Sequence, residues 1–508
     1  MQSKIRTLEE MALLSEEAKK NGSRVVQCHG VFDLLHPGHI RHFKEAKNQG
    51  TLLIVSVTPD HYVNKGPGRP AFNQSLRLET IAAIECVDYV CLNQTADASN
   101  CIRMIRPHVY VKGKEYQDHA ADLTGNIYGE LEAAKEIGAT VHYTDDLVFS
   151  SSSLLSQFVD PPTPKQQEFL KQIKSQASLS ELISMIESFK SLRVLIIGDA
   201  MIDEYQFTEP LGQSGKGFHM VTRCKVIERY LGGSLIIANH LAEFSDHVTL
   251  LTSVGTASAP DAIIETLLNP KIKREFIQKS HDSTLRKKRY VIQDGTQISK
   301  LFETYSGGES RLSEPETERV TSFLEKKADE FDLVLVADFG NGFTNPTIVN
   351  ALSNLPNFLA LNTQTNSGNR GFNVITHYSR ADFISLNEPE LRLSAHDRYS
   401  STQSIALEIS KRMDCKKIYV TQGVNGALGL SSKQEILQIP SLISRSLDAV
   451  GSGDSFFAVA ALSAVKMHPL SITGFFGSIA SAINTQTIGN KEPIKKVPFY
   501  KFLTRLLK

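Results

Sequence analysis

Short apolar runs with strand character alternate with segments of helical periodicity along most of the chain, and this alternation restricts the fold more than any other feature. The first third carries strand-like runs at 25–28, 52–57, 87–92, 109–111 and 140–143, with helical segments at 75–86, 100–105 and 129–137. A second alternating block starts at Arg193–Asp199 and continues towards the C terminus. Such alternation is typical of right-handed βαβ units that build a parallel sheet. The sequence therefore predicts two α/β domains.

A proline-rich segment, Asp160–Lys165, interrupts the periodicity between the two blocks. A polar stretch with helical spacing follows it and runs to about Lys190. The length of 508 residues also exceeds that of one ordinary domain. We therefore predict a first domain at 24–158, a linker at 159–190 and a second domain at 191–508.

The eleven residues His29–His39 follow the first apolar run and open a helical segment. Pro37 suits a first helical turn, and Gly38 allows a ligand to approach the backbone closely. His36 and His39 are three residues apart and share one face at the helix N terminus, where free N–H groups and the helix dipole favour anions. The segment predicts a nucleotide phosphate site with His36 and His39 as catalytic donors, and with Gly30, Phe32 and Asp33 as nucleotide-binding residues.

Each histidine taken alone is equally explained as a helix cap, and a metal site would need further Cys or acidic ligands nearby. The full order of strand, turn, Gly-x-Phe-Asp and His-x-Gly-His is more specific. It resembles the H-x-G-H nucleotidyltransferase superfamily, whose fold is a Rossmann-like sheet. The resemblance implies that a phosphate oxygen attacks the α-phosphorus of ATP or CTP, and that pyrophosphate leaves without a covalent intermediate.

Nucleotidyl transfer needs positive charge placed around the phosphates. The candidates are Lys44 and Lys112 as catalytic residues, and Lys65 and Arg77 as nucleotide-binding residues. Any one of them could be a solvated surface charge, but Lys65 and Lys112 lie in Gly-rich loops after strands, where parallel sheets bind ligands. Three serines, Ser150, Ser151 and Ser152, either contact phosphate or cap the helical stretch that follows.

Three further segments sharpen the resemblance of the first domain: Lys65–Pro70, Glu79–Val90 and Val111–Gly113. They look like the adenylyltransferase domain of the bifunctional enzymes that make ADP-heptose for lipopolysaccharide. Cytidylyltransferases for glycerol and choline phosphates share the H-x-G-H element but typically have a different loop in place of Lys-Gly-Pro-Gly-Arg-Pro. The resemblance favours a sugar 1-phosphate over an alcohol phosphate as the acceptor.

The second block carries a Gly-x-Gly-Asp motif, Gly451–Asp454, in front of an apolar helical stretch. Two glycines permit a tight turn whose N–H groups converge on one anion, and the helix dipole adds to their effect. Asp454 is then placed to accept a proton from an attacking hydroxyl while the turn holds a γ-phosphoryl group. Alternatively, the motif is an ordinary helix cap without a catalytic role.

Together with Gly232-Gly233, Asn387–Glu390 and Val420–Gly426, this motif resembles the ribokinase-like (PfkB) sugar kinases. The resemblance implies that Asp454 is the catalytic base and that Gly451 and Gly453 form an anion hole. It also implies nucleotide contacts by Thr421 and Gly423, substrate contacts by Asp203, Gly232 and Gly233, and indirect organisation of Mg²⁺ and phosphate by Asn387 and Glu390. The two resemblances together match the ADP-heptose enzymes with the domain order reversed.

The kinase-like block departs from that pattern at the expected acceptor site. Ile236 stands where the family usually has an Asn, with Asn239 three residues later, and Asn362-Thr363-Gln364 replaces Asp-Pro-Lys. With apolar or uncharged side chains at these positions, the site has fewer hydrogen-bonding and charged groups to bind a sugar phosphate. The kinase is therefore expected either to use a different acceptor or to be weak.

Acidic and basic residues balance at 55 each, so no overall charge attracts the chain to nucleic acid or membranes. Six cysteines without framework spacing and the absence of an apolar leader or span predict a reduced, cytoplasmic protein. The expected partners are a sugar phosphate and a nucleoside triphosphate, with Mg²⁺ as cofactor; whether the protein forms a homo-oligomer stays open.

Three functions fit the sequence. The leading one is a bifunctional kinase and nucleotidyltransferase that makes an NDP-heptose-type precursor. The second is a transferase with a regulatory kinase-like domain, and the third is a polyol-phosphate cytidylyltransferase.

Overall fold

A computed structural model describes residues 4–63, 66–117, 126–144, 162–256, 262–279, 281–294, 297–308 and 310–507, which form two units. The first unit comprises residues 1–163 and 500–508 and is built on a six-stranded parallel sheet. Its described strands are β1 (Ile5–Arg6), β2 (Val25–Gly30), β3 (Leu52–Val57), β4 (Tyr89–Leu92), β5 (Val109–Gly113) and β6 (Thr140–Thr144). Its described helices are α1 (Leu8–Lys20), α2 (Pro37–Lys47), α3 (Gln74–Ala82), α4 (Ser99–Ile105) and α5 (Asn126–Glu136).

The strands of this sheet lie in the order β1-β4-β3-β2-β5-β6, and every pairing is parallel. All residues of β2 except Gly30 are buried, and β3 is nearly as apolar. Continuous burial of this kind is expected when helices cover both faces of a parallel sheet. Helix α2 buries Phe43 and Ala46 on the sheet while Lys44 and Lys47 stand in its last turn.

The second unit, residues 164–499, contains β7–β18 in one extended sheet system. Its helices are α6 (Pro164–Gln176), α7 (Leu179–Glu187), α8 (Ser234–Ala242), α9 (Ala262–Leu267), α10 (Glu314–Lys327), α11 (Pro346–Ser353), α12 (Glu388–Ala395), α13 (Thr402–Arg412), α14 (Ser452–Val465), α15 (Leu470–Asn484) and the start of α16 (Lys496–Leu507). Its first strands are β7 (Arg193–Gln213), β8 (Met220–Gly233), β9 (His247–Gly255), β10 (Lys273–Lys279), β11 (Leu285–Asp294) and β12 (Gln297–Ser306). The remaining strands are β13 (Leu333–Asp338), β14 (Phe358–Thr363), β15 (Phe383–Asn387), β16 (Lys417–Thr421), β17 (Ala427–Ser431) and β18 (Ile436–Ile439).

Strand β7 belongs to two layers. Its first half, Arg193–Asp199, lies between β9 and β13 in the central sheet, and Ala200–Gln213 continues outward to pair with β8 and β11. The central sheet is buried beneath α10–α13 on one face and α14 on the other, with a core that includes Val336, Leu361 and Ile384. The point where β7 leaves the central sheet places residues 199–203 beside the carboxyl ends of the parallel strands.

These observations confirm the predicted α/β class, with a Rossmann-like first unit and a ribokinase-like second one. Two segments group differently from the predicted boundaries. Residues 164–187, assigned to the linker, form two amphipathic helices that bury Phe169, Ile173 and Leu182 within the second unit, and residues 500–507 group with the first unit. No helix within the described ranges has the length and apolar character needed to cross a membrane.

Candidate active sites

The first unit reverses the direction of its strand order between β2 and β5. Strands β3 and β4 follow β2 on one side, and the chain then crosses to β5 on the other side. The carboxyl ends of two such strands diverge and leave a crevice, which is where open α/β sheets bind ligands. The loop after β2 leads into the histidine motif, and Lys112 lies near the end of β5.

The structure brings His36 and His39 together at the start of α2. His36 is the N-cap residue, and its Nδ1 accepts a hydrogen bond from the Gly38 N–H at 3.2 Å. The two imidazole centroids are 3.9 Å apart, and the Phe32 ring packs edge-on against His39 at 5.4 Å. Phe32 has a φ of +47°, an uncommon conformation for a bulky side chain that marks a tight turn. The motif thus presents two adjacent imidazoles at a helix N terminus.

Asp33 fixes the loop that follows β3. Its buried carboxylate accepts a hydrogen bond from Arg69 Nη1 at 2.6 Å and further bonds from the Ala71 and Phe72 N–H groups at 2.6 and 3.2 Å. A carboxylate with several donors is held firmly in place. Asp33 therefore connects the histidine motif to the loop at 66–72.

Arg77 is also buried, with 2% of its surface exposed. Its guanidinium donates to the Val31, Thr58 and Phe72 carbonyl oxygens and to the Asp60 carboxylate at 2.5–3.0 Å. These four bonds use four of the five guanidinium N–H donors, so Arg77 braces the loops around the histidine motif; its direct contact with the nucleotide stays a prediction.

Lys112 lies in the interior beside α5. Its ammonium forms an ion pair with Glu130 at 2.7 Å and lies over the Tyr116 ring, with 4.7 Å to the centroid. Burial favours the neutral acid, but the Lys112 charge keeps the pKa of Glu130 below its ordinary value. Glu130 also accepts a hydrogen bond from the Tyr110 hydroxyl at 2.9 Å. The predicted phosphate-binding lysine is thus partly neutralised by an acid that the sequence did not single out.

The other predicted residues of this site have different outcomes. Gly30 ends β2, but Lys44 is exposed in the last turn of α2, about 12 Å along the helix axis from His36 at 1.5 Å per residue. The structure therefore does not bring Lys44 to the histidines. Lys65 and Ser150, Ser151 and Ser152 lie outside the described residues.

His29, which ends the buried part of β2, received no role from the sequence. Its two ring nitrogens lie 3.0 Å from Ser56 Oγ and 3.2 Å from Thr58 Oγ1. Burial lowers the pKa of His29 to about 4, so the ring is neutral at pH 7. Its partners on the neighbouring strand explain why sequence spacing alone could not identify this cluster.

A cleft of about 980 Å³ opens at the carboxyl edge of the central sheet in the second unit. Four neighbouring strands, β13–β16, end at this edge and contribute Phe339, Gln364, Asn387 and Thr421 to its walls. The cleft also takes in residues 449–454, where α14 begins. Its position agrees with the general location of ligand sites in open α/β sheets.

The N terminus of α14 forms the floor of this cleft. Gly451 is the N-cap residue with a φ of +78°, and a Cβ at this position would lie 1.8 Å from Asn490 Oδ1. Only glycine fits such a position. Gly453 and Asp454 follow in the first turn and line the same cleft. The predicted anion-binding turn and its carboxylate are therefore together.

Asp454 has an environment suited to proton transfer near neutral pH. Burial at the floor of the cleft raises its pKa to about 7; the Asp203 carboxylate contributes to this increase, and the Lys287 ammonium opposes it. General bases are most effective when their pKa lies close to the working pH.

Two cations that the sequence did not single out line the cleft opposite Asp454. Lys287 lies directly across from Asp203 in the parallel register of β11 and β7, and Arg289 Nη1 contacts Asp203 Oδ1 at 2.5 Å. The Lys287 ammonium lies over the Tyr305 and Phe339 rings at 5.3 and 6.0 Å, and burial lowers its pKa. Because Lys287 and Arg289 are two residues apart on a strand, the sequence indicates that they lie on the same face of the sheet. Only the pairing of β11 with β7 shows that this face lines the cleft.

Asn387 and Glu390 form a capping box at the start of α12. The Asn387 side chain accepts from the Glu390 N–H at 2.8 Å, and Glu390 Oε2 accepts from the Asn387 N–H at 2.9 Å. Burial raises the pKa of Glu390 to about 7. Asn387, Thr421 and Gly423 line the cleft, as do Asp203 and Gly233, while Gly232 packs against the Asp203 carboxylate.

The departures noted in the sequence have clear positions. Ile236 is buried within α8, and Asn239 is bonded to the backbone of Leu267 and Asn269, so neither faces the cleft. Asn362 donates to the Ser385 carbonyl at 2.8 Å. A different amide, Asn490, lines the cleft with its Nδ2 3.4 Å from Asp203 Oδ2. Asn490 is 287 positions from Asp203 in the sequence, and no pattern in the sequence indicates that the two residues meet.

Each unit thus places a helix N terminus and titratable side chains at the carboxyl edge of a parallel sheet, an arrangement typical of enzymes that transfer phosphorus-containing groups. The family model described as pfkB family carbohydrate kinase matches residues 191–497, and a cytidylyltransferase-like model matches residues 28–158. The chain belongs to the pfkB family of carbohydrate kinases and carries a cytidylyltransferase-like domain in front of the kinase domain.

Individual relatives match mainly the first domain. The protein called bifunctional protein HldE of Aliarcobacter butzleri is 37% identical over 136 residues, which cover 26% of this chain and 28% of that protein. The HldE protein of Pelobacter propionicus is 35% identical over 116 residues, or 22% of this chain and 24% of its own length. The aligned segments thus span only about a quarter of these relatives.

The second unit has solved structural neighbours. Phosphofructokinase-2 from Escherichia coli aligns with 62% of this chain and 100% of its own, with a TM-score of 0.50 and 16% identity. At this identity the likeness shows the fold alone.

Proposed function

We propose that the protein catalyses two steps in making an activated sugar. The kinase domain phosphorylates a sugar phosphate with ATP, which gives a sugar bisphosphate and ADP. After a separate phosphatase has removed the original phosphate, the transferase domain moves a nucleotidyl group from ATP onto the phosphate that the kinase added. The product is an NDP-heptose-type precursor of a surface polysaccharide. The observation that carries this proposal is that each unit has a helix N terminus with its own candidate catalytic side chains, the imidazoles of His36 and His39 in one and the carboxylate of Asp454 in the other.

In the transferase step, a sugar phosphate oxygen attacks the α-phosphorus of the triphosphate, and the bond to the pyrophosphate oxygen breaks. His36 and His39 donate hydrogen bonds to the oxygens on which negative charge increases. The α2 dipole and Lys112 add to this stabilisation. Asp33 and Arg77 are positioning residues because they hold the surrounding loops through buried bonds.

In the kinase step, an acceptor hydroxyl loses its proton to Asp454 while its oxygen attacks the γ-phosphorus of ATP, and ADP leaves. The backbone N–H groups of Gly451 and Gly453 hold the phosphoryl oxygens at the N terminus of α14. Thr421 and Gly423, which line the cleft, would contact the nucleotide.

The acceptor of the kinase step is expected to be anionic. Lys287 is 4% exposed at the cleft wall and, among the described residues, forms no ion pair. Arg289, in contrast, is already balanced by Asp203 and Glu303. A buried ammonium is stabilised by an anionic partner. A phosphate on the acceptor supplies that charge, which supports a sugar phosphate over a free sugar.

Magnesium fits the donor chemistry of the kinase cleft. The cleft is lined by the acidic groups Asp203, Glu388 and Asp454, and Glu390 lies close enough to interact with Asp454. All four offer only oxygen ligands, which suit Mg²⁺. No cluster of three or more His, Cys, Asp or Glu side chains that could hold a metal occurs in the described part of the chain. Asn387 and Glu390 would help to hold the ion together with the nucleotide phosphates. When bound, Mg²⁺ neutralises charge on the transferred phosphoryl group.

A substrate matrix tests the proposal. Purified protein is incubated with ATP or CTP and with free and phosphorylated hexoses, heptoses and polyols, and ADP and pyrophosphate are measured separately. We expect ADP with a sugar phosphate and ATP, and pyrophosphate once a sugar 1-phosphate is supplied. Pyrophosphate without sugar-dependent ADP would favour a regulatory kinase-like domain. A preference for CTP with polyol phosphates would favour the cytidylyltransferase alternative.

A further inference from the structure

The last turns of the chain belong structurally to the transferase unit. Residues 500–508 group with residues 1–163, although they follow the kinase domain in sequence. They also lie beyond both family matches, which end at 158 and 497. Phe502 and Leu503 of α16 have 0% of their surface exposed. These turns are therefore packed, and neither family explains them.

Their partner is the Gly-Pro-Gly loop after β3. Arg505 Nη1 donates a hydrogen bond to the Pro67 carbonyl oxygen at 3.0 Å, and the Arg505 guanidinium stacks on the Phe502 ring at 4.9 Å. The Phe502 ring in turn covers Gly66, because a Cβ at Gly66 would lie 3.3 Å from Phe502 Cδ2. Gly66 has a φ of +89°, a backbone conformation that favours glycine. Phe502 and Arg505 thus hold the beginning of this loop.

The end of the same loop is tied to the phosphate site. Arg69 and the N–H groups of Ala71 and Phe72 donate hydrogen bonds to Asp33, which lies three residues before His36. The loop therefore has two anchors, α16 at residues 66–67 and Asp33 at residues 69–72. Loss of either anchor would free a loop that is bonded to Asp33 of the histidine motif.

We propose that Phe502 and Arg505 are positioning residues of the transferase, which hold the loop at 66–72 in the conformation that binds the triphosphate. This inference rests on the proposed transferase activity. The contact pre-organises a binding loop, so its loss weakens nucleotide binding more than it slows the chemical step. A helix that served only stability would change the melting temperature without a selective effect on nucleotide binding.

The test uses the full chain and compares Arg505→Ala, Arg505→Lys, Phe502→Ala and Phe502→Leu with the parent. Arg505→Ala and Phe502→Ala should raise the transferase KM for the triphosphate about tenfold with a smaller change in kcat. Arg505→Lys and Phe502→Leu should recover part of the loss, since a donor or an apolar contact remains. Lys496→Ala is the matched control, because its ammonium pairs with Glu187 at 2.9 Å and does not contact the loop.

Amide hydrogen exchange provides a second measurement. Exchange in peptides covering 66–72 should be faster in Arg505→Ala and unchanged in Lys496→Ala. An active parent whose Arg505 and Phe502 variants keep the parental KM would overturn this inference and leave the transferase proposal intact. Variants with a lower kcat and a lower melting temperature but an unchanged KM would also overturn it, because that result indicates a purely structural role. A parent that releases no pyrophosphate would overturn the proposed function, and this inference with it.

Discussion

The two candidate phosphate sites differ in how their charged side chains are balanced. In the first unit, Asp33 is paired with Arg69 and Lys112 with Glu130, all within the protein. In the second unit, Asp454 and Lys287 face a large cleft, and burial shifts the pKa of each towards its neutral form. The first arrangement resembles a pre-organised binding site. The second leaves two groups whose charge a substrate would stabilise, which is what a proton-transfer step requires.

The largest expected effect comes from Asp454→Asn, which removes the carboxylate that accepts the proton. Sugar-dependent ADP formation should fall about 100- to 10,000-fold, the usual contribution of a general base. Pyrophosphate release from a supplied sugar 1-phosphate should not change, because Asp454 belongs only to the cleft of the second unit. A variant with undiminished ADP formation would remove Asp454 from the mechanism.

The reciprocal change is His39→Ala, which removes one of the two adjacent imidazoles. Pyrophosphate release should fall about 100- to 1,000-fold, as expected when a hydrogen bond to the transition state is lost. ADP formation serves as the internal control and should stay at the parental rate. Near-normal pyrophosphate release from a folded variant would assign the two histidines to helix capping alone.

A smaller effect is expected for Lys287→Met, which keeps the length of the side chain and removes its charge. The KM of the kinase for a phosphorylated acceptor should rise about 10- to 100-fold, the usual range for one charge-assisted hydrogen bond. Lys288→Met is the matched control, since the neighbouring ammonium pairs with Glu204 at 3.1 Å. Equal effects of both substitutions would show that Lys287 does not bind the acceptor.

The pH dependence of the kinase gives the mildest effect. Because burial raises the pKa of Asp454 to about 7, the carboxylate is largely protonated below that pH and cannot accept a proton. The kcat/KM of the kinase should therefore rise about tenfold per pH unit below 7 and level off above it. Asp203→Asn should move the inflection to lower pH, because the Asp203 charge contributes to the raised pKa. An inflection that does not move would mean that another group titrates.

Much of the fold was predictable because local pattern and packing agree. The apolar runs at 52–57 and 109–111 became β3 and β5, and the Gly451–Asp454 turn opened α14 at the sheet edge as its spacing indicated. Continuous apolar runs and glycine turns are local signals, so one sequence is enough to identify them.

Long-range pairing was not predictable from the same patterns. Arg77 looked like a phosphate ligand, but carbonyl oxygens from 31, 58 and 72 surround it in three dimensions. The contacts of Asn490 with Asp203 and of Arg505 with Pro67 join residues 287 and 438 positions apart. No periodicity in the sequence encodes such contacts. The position of Asn490 in the kinase cleft and the contact of α16 with the loop at 66–72 are therefore visible only in the structure.

The claim that the chain holds two independent catalytic centres is tested most directly by mixing the two inactive variants. Asp454→Asn and His39→Ala are assayed alone and together with a sugar phosphate, ATP and a phosphatase that removes the original phosphate of the sugar, and formation of the nucleotide sugar is followed by chromatography. We predict that neither variant alone makes nucleotide sugar and that the mixture does, because the first supplies the transferase and the second supplies the bisphosphate from which the phosphatase releases sugar 1-phosphate. A mixture that stays inactive, although each variant retains its other activity in separate assays, would contradict two consecutive reactions linked by a released intermediate.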